Sequence, residues 1–236
     1  PIYNVVIVPG GKPIMFYIIM ALIEEGDEVL CPDPSFPIYQ SCVNFAGGTV
    51  VPMPILEKNE FRLDIDDLAS KITERTKLII INSPANPTGG VLTPDDINRI
   101  ADLVRDKDII VLSDEIYDRM IYEGEPLSIA SLPGMRDQTV ILDGFSKTYA
   151  MTGWRLGYGV MNTFLAEKIT KMMVNSNSCT AAFTQMAGIE ALNGPQDEVL
   201  RMVAEFKARR DLIVAGLNSI PGVSCLLPKG AFYAFP

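Results

Sequence analysis

Between Lys77 and Ser113 the chain reads Lys77-Leu78-Ile79-Ile80-Ile81-Asn82, then Thr93-Pro94-Asp95-Asp96, then Ile109-Ile110-Val111-Leu112-Ser113. The two apolar runs are continuous rather than alternating, so each suits a β-strand covered on both faces. The segment between them opens as a helix does: a capping hydroxyl at Thr93, a proline in the first turn, then acids at the positive end of the helix dipole. Strand, helix and strand in this order argue for an α/β fold with a mostly parallel sheet flanked by helices.

The same alternation runs on either side. Strands are expected at Val5–Val8, Glu28–Cys31, Thr49–Met53, Lys77–Asn82, Ile109–Ser113, Thr139–Asp143 and Leu156–Val160. Helices are expected at Lys12–Glu24, Phe36–Ala46, Asp64–Ile72 and Pro94–Arg105. From Asn162 the texture becomes helical, near Phe164–Val174, Ala181–Leu192 and Gln196–Leu217. Pro221-Gly222 breaks that pattern, and Val223–Leu227 and Ala231–Phe235 are expected to be strands of something new. The division expected is a large domain over residues 1–219 and the beginning of a small C-terminal domain over 220–236.

With 236 residues, 48% of them hydrophobic, the chain can bury a substantial core. Its net charge of −9 opposes nucleic-acid binding, and no basic run supplies a local patch. A small phosphate ligand needs only a few donors and stays compatible with that charge. There is no histidine, which removes Ser-His-Asp and Cys-His catalysis and every histidine-containing metal site. No metal site is expected. Cys31, Cys42, Cys179 and Cys225 lack CxxC spacing and sit among apolar neighbours, so buried reduced thiols in a cytoplasmic protein are expected. The longest apolar run, Ile14–Ile23, is too short to span a membrane, and no basic signal-peptide region opens the chain. Both ends read as cut: a strand starts almost at once, and the chain stops inside a strand-like alternation.

In an open α/β sheet, ligands bind beyond the carboxyl ends of the strands. Each chemically capable cluster follows a predicted strand. After the sixth comes Gly144-Phe145-Ser146-Lys147-Thr148-Tyr149-Ala150-Met151-Thr152-Gly153-Trp154-Arg155-Leu156-Gly157. Its amine, hydroxyl and guanidinium suit a cofactor with an aldehyde and a phosphate, for which pyridoxal 5'-phosphate is the obvious candidate. Lys147 would form an imine with the aldehyde, and Ser146 and the planar fork of Arg155 would hold the phosphate. After the first strand, Gly10-Gly11-Lys12 opens a helix and would offer backbone N–H groups to an anion. Phe36 could cover a flat ring, and Asn86, in Asn86-Pro87-Thr88-Gly89, would present an amide at the sheet edge. Asp114 would keep a pyridine nitrogen protonated, and Tyr117 would donate to the phenolate beside the aldehyde. Taken singly, each has a plain alternative: a tight turn, a core phenylalanine, a solvated acidic turn or a surface cation.

Together these residues resemble the class I aminotransferases of fold type I, in order and in spacing, over nearly the whole chain. That resemblance implies a pyridoxal 5'-phosphate-dependent transaminase, passing an amino group from an L-amino acid to a 2-oxo acid through a Lys147 Schiff base. It implies that Lys147 shuttles the proton, Asp114 pairs with the pyridine nitrogen, and Asn86 and Tyr117 bind the phenolate oxygen. Phe36 would stack on the ring, while Gly10, Gly11, Lys12, Ser146 and Arg155 would hold the phosphate. Thr152-Gly153-Trp154-Arg155 points towards the aspartate, aromatic and kynurenine subgroup. The resemblance also implies a homodimer with amino acid and 2-oxo acid substrates, and no nucleic-acid or membrane partner. The family's substrate-carboxylate arginine has no match here, so weak turnover by these residues alone is expected. A lyase or racemase on the same scaffold, or a cofactor-holding domain with little activity, are the alternatives.

Overall fold

Successive side chains of Leu78–Ile81 enter opposite layers of the molecule: Leu78 and Ile80 join one buried apolar cluster, Ile79 and Ile81 the other. A strand covered on both faces has no solvent side, which is why the run contains no polar member. It lies in the interior of a seven-stranded sheet in a computed structural model that describes residues 1–236. The strands are β1 (Val5–Val8), β2 (Glu28–Asp33), β3 (Thr49–Pro54), β4 (Thr76–Asn82), β5 (Ile110–Asp114), β6 (Thr139–Gly144) and β7 (Gly157–Val160). Their order across the sheet is β1-β7-β6-β5-β4-β2-β3. Only β7 runs antiparallel to its neighbours; all other pairings are parallel. The mostly parallel α/β sheet expected from the sequence is the fold observed.

One face carries α1 (Lys12–Leu22), α2 (Ile38–Phe45) and α5 (Thr163–Asn177), whose inward residues build the cluster around Leu78 and Ile80. The opposite face carries α3 (Ile65–Lys71) and α4 (Pro94–Val104), packed over Ile79 and Ile81. The start of α4 is the expected capping box: Thr93 Oγ1 accepts from the Asp96 N–H at 3.1 Å, and Asp96 Oδ2 accepts from the Thr93 N–H at 2.8 Å. Beyond the sheet lie α6 (Ala182–Asn193) and α7 (Asp197–Asn218). No helix is long and apolar enough to cross a membrane.

Two expectations are corrected. Val223–Leu227 and Ala231–Phe235 are not strands; only the isolated bridge between Ile121 and Gly230 forms there. An alternating pattern becomes a strand only beside another strand, and the neighbours of this segment are two loops and helix residues Arg210 and Asn218. Cys179 is exposed, because it lies in the connection between α5 and α6, whereas Cys31, Cys42 and Cys225 are buried free thiols as expected.

Parallel pairing aligns the strand ends that matter. Asn82 of β4 stands opposite Asp114 of β5, which stands opposite Leu142 of β6. The carboxyl edge of the sheet therefore brings together residues far apart in the chain.

Candidate active site

Asp114, at the end of β5, is buried. Its Oδ2 accepts the Tyr39 hydroxyl from α2 at 2.5 Å, and its Oδ1 accepts the Ile116 N–H at 3.2 Å. Burial pushes the carboxyl up to about 6, against the lowering effect of these two hydrogen bonds. A buried carboxylate with this environment in a cleft is a feature of functional sites.

Asn82 ends β4 and ties two loops together. Its Nδ2 donates to the Asp114 carbonyl at 3.0 Å, and its Oδ1 accepts the Asn86 N–H at 2.8 Å. The turn carrying Asn86 is thus fixed to the strand end beside Asp114. Tyr117 follows β5 and is buried, with its hydroxyl 2.5 Å from that of Tyr233. Burial first, and then the Tyr233 hydrogen bond, raises its pKa well above the ordinary phenol value.

Lys147 sits half-buried in the loop after β6, its Nζ 5.0 Å from the Phe232 ring centre and 5.8 Å from that of Tyr117. Desolvation lowers its pKa, helped by the charges of Arg155 and then Lys12. That shift enlarges the fraction of free amine, the nucleophilic form.

The loop is braced locally. Thr152 Oγ1 donates to the Ser146 carbonyl at 2.9 Å, and Arg155 Nη1 donates to the Thr152 carbonyl at 2.9 Å. Arg155 Nη2 reaches the Pro9 carbonyl at 3.4 Å, so the guanidinium lies across the Gly10 turn. Gly10 is required there: its φ is +82°, and a Cβ would fall 2.0 Å from Arg155 Nη2. No side chain caps α1, which begins after Gly11. Phe36 stands edge-on to Tyr39 with centroids 6.0 Å apart, and Lys12 Nζ lies 5.1 Å from its ring centre.

Every residue given a site role in the sequence except Gly10 lines one cavity of about 360 Å³. Gly10 is buried next to it, under Arg155. Tyr39, Asn82 and Tyr233 also line the cavity and carry no site role from the sequence; Thr152, read only as part of the Thr152-Gly153-Trp154-Arg155 motif, lines it too. For Asn82 a signal existed: it is the polar residue that closes the apolar run of β4. Tyr39 and Tyr233 gave none, since each meets its partner only across the fold.

The sequence profile of the aminotransferase class I and II family matches residues 1–236. The chain belongs to the class I and II aminotransferases. It is 42% identical to an aspartate aminotransferase of Pyrococcus abyssi, over all of this chain and 61% of that protein. It is 40% identical to aromatic-amino-acid aminotransferase 2 of Thermococcus litoralis, again over all of this chain and 61% of the relative. The crystal structure of an aromatic aminotransferase from Pyrococcus horikoshii superposes with a TM-score of 0.95 at 41% identity, over 99% of this chain and 63% of that one. The chain thus spans about three-fifths of the length of these class I and II aminotransferases.

Proposed function

We propose that this chain is the cofactor-binding part of a pyridoxal 5'-phosphate-dependent aminotransferase that moves an amino group from an L-amino acid to a 2-oxo acid. The observation that carries the reading is the pairing, in one cavity, of an amine with lowered pKa at Lys147 and a buried carboxyl at Asp114. Bound there, pyridoxal 5'-phosphate would supply an aldehyde for Lys147 and a pyridine ring that takes up electron density from the substrate Cα.

The donor set fits that group. Asp114 would hold a proton on the ring nitrogen, and the cationic N–H would relieve the cost of ionising a buried carboxylate. Asn86 and Tyr117 would donate to the phenolate oxygen, and Phe36 would cover one ring face. Ser146, Arg155, Lys12 and the backbone at Gly10 and Gly11 would hold the phosphate, where the missing Cβ of Gly10 leaves room for the guanidinium. Lys147, released by the substrate amine, would carry the proton between Cα and the C4' atom of the cofactor.

The relatives named as aspartate and aromatic-amino-acid aminotransferases support an acidic or aromatic amino acid as donor. Residues 1–219 would form the cofactor-binding domain and 220–236 open a second one, a reading supported by the end of α7 at Asn218. Homodimerisation is supported by exposed Phe183, Met186, Ile189 and Leu192 on α6. A cytoplasmic setting is supported by the buried free thiols.

The test is an absorbance spectrum of the chain with pyridoxal 5'-phosphate, beside Lys147→Ala, before and after addition of aspartate or phenylalanine. A visible band that requires Lys147 is the expected result, and a donor that bleaches it would identify the substrate class. A band equally strong in Lys147→Ala would overturn the reading.

A further inference from the structure

The residues that fail to form a C-terminal strand form a strap instead. Arg210 of α7, only 7% exposed, donates to the Pro228 carbonyl at 2.9 Å and pairs with Glu123 at 3.2 Å. The N–H groups of Lys229 and Gly230 both donate to the Gly89 carbonyl at 3.1 Å. The Ala231 N–H donates to the Met120 carbonyl at 2.9 Å, and the Tyr122 N–H donates to the Lys229 carbonyl at 2.8 Å. The Tyr122 hydroxyl closes onto the Ala231 carbonyl. The strap is therefore fastened to two loops, one carrying Asn86 and the other Tyr117. It delivers Phe232 to Lys147 and the Tyr233 hydroxyl to within 2.5 Å of the Tyr117 hydroxyl.

We propose that Tyr233 is a positioning residue for Tyr117, donating a hydrogen bond that directs the single Tyr117 proton towards the cofactor's phenolate oxygen. The inference rests on the pyridoxal 5'-phosphate reading of the cavity. A phenol has one proton, so Tyr117 can donate to Tyr233 or to the phenolate, not to both. An anionic acceptor forms the stronger bond, so with the cofactor present Tyr117 turns to it and Tyr233 donates to Tyr117. Donation from Tyr233 polarises the Tyr117 hydroxyl and strengthens its bond to the phenolate. A phenolate held in this way gives less electron density to the nitrogen joining Lys147 to the cofactor, which lowers the proton affinity of that nitrogen.

The geometry separates this role from packing. The Tyr117 and Tyr233 rings meet nearly edge-on, 5.7 Å apart, and Phe232 packs against both. Tyr233→Phe keeps those ring contacts and removes only the hydroxyl.

The experiment is a pH titration of the visible absorbance of the cofactor-loaded chain, for wild type, Tyr233→Phe, Tyr117→Phe and the double variant, with thermal unfolding as the folding control. Loss of one neutral hydrogen bond should raise the spectral midpoint by about half a pH unit in Tyr233→Phe. Tyr117→Phe should raise it further, and adding Tyr233→Phe to it should change nothing. An unchanged midpoint in Tyr233→Phe overturns the inference alone, as does an equal shift with and without Tyr117. Absence of any Lys147-dependent band in wild type overturns the cofactor reading and this inference with it.

Discussion

Asp114 makes the cofactor-free protein sensitive to pH. Its carboxyl is pushed up to about 6 by burial, whereas an unfolded aspartate loses its proton near pH 4. Between those values the folded state binds more protons than the unfolded state, so stability falls as pH rises through the window. Above it the cost of the buried charge is on the order of 3 kcal/mol. Asp143, also pushed up to about 7 by burial, adds to the same trend. Asp114→Asn isolates the first contribution: in urea unfolding without cofactor, the variant should gain on wild type between pH 4 and pH 7. A stability difference that ignores pH would contradict this. The same substitution should weaken pyridoxal 5'-phosphate binding, because a neutral amide gives no charge to a protonated ring nitrogen.

At the scale of elements, the site depends on strand ends aligned by parallel pairing. β4 and β5 place Asn82 against Asp114, and Asn82 joins the Asp114 carbonyl to the Asn86 N–H. Asn82→Ala would leave both groups without that partner, at about 1–3 kcal/mol for a buried unsatisfied group. Denaturant unfolding should show that loss. Titration with pyridoxal 5'-phosphate should show weaker binding as well, since the turn presenting Asn86 is no longer anchored. Unchanged cofactor affinity would make Asn82 a purely structural residue. The motifs were legible because their residues are close in sequence: Ser146, Lys147 and Arg155 share one loop, and Asp114 precedes Tyr117 directly after one strand. The role of Asn82 is not legible in this way, because its partners belong to a neighbouring strand and a turn.

In the whole molecule, two apolar layers grip the sheet from opposite faces, and a single buried cation, Arg210, secures the strap that carries Tyr233 to the cavity. Arg210 also pairs with Asp211 at 2.7 Å, and its guanidinium lies 5.0 Å from the Tyr122 ring centre. Glu123 and Asp211 are about half exposed, so those ion pairs are screened and add little. The buried Pro228 carbonyl has no such access to water. Arg210→Ala should therefore destabilise the chain by about 1–3 kcal/mol, mainly through that orphaned acceptor. Limited proteolysis followed by mass spectrometry should find faster cleavage after Asn218 than in wild type. Equal cleavage rates would show that the backbone hydrogen bonds to Gly89 and Met120 hold the strap unaided.

The order of strands and helices, the two-faced burial of the sheet and the loops bearing the candidate site residues could all be read from the chain. They depend on local rules: periodicity, caps, and residue types placed just past a strand. The partners of those residues could not be read. Tyr39 meets Asp114 across a separation of 75 residues, and Tyr117 meets Tyr233 across 116. The fate of residues 223–235 was also beyond local reading, because an alternating sequence becomes a strand only where another strand offers its edge. Here the fold offered two loops and a buried arginine instead, and the segment became a strap that brings Tyr233 to the cavity.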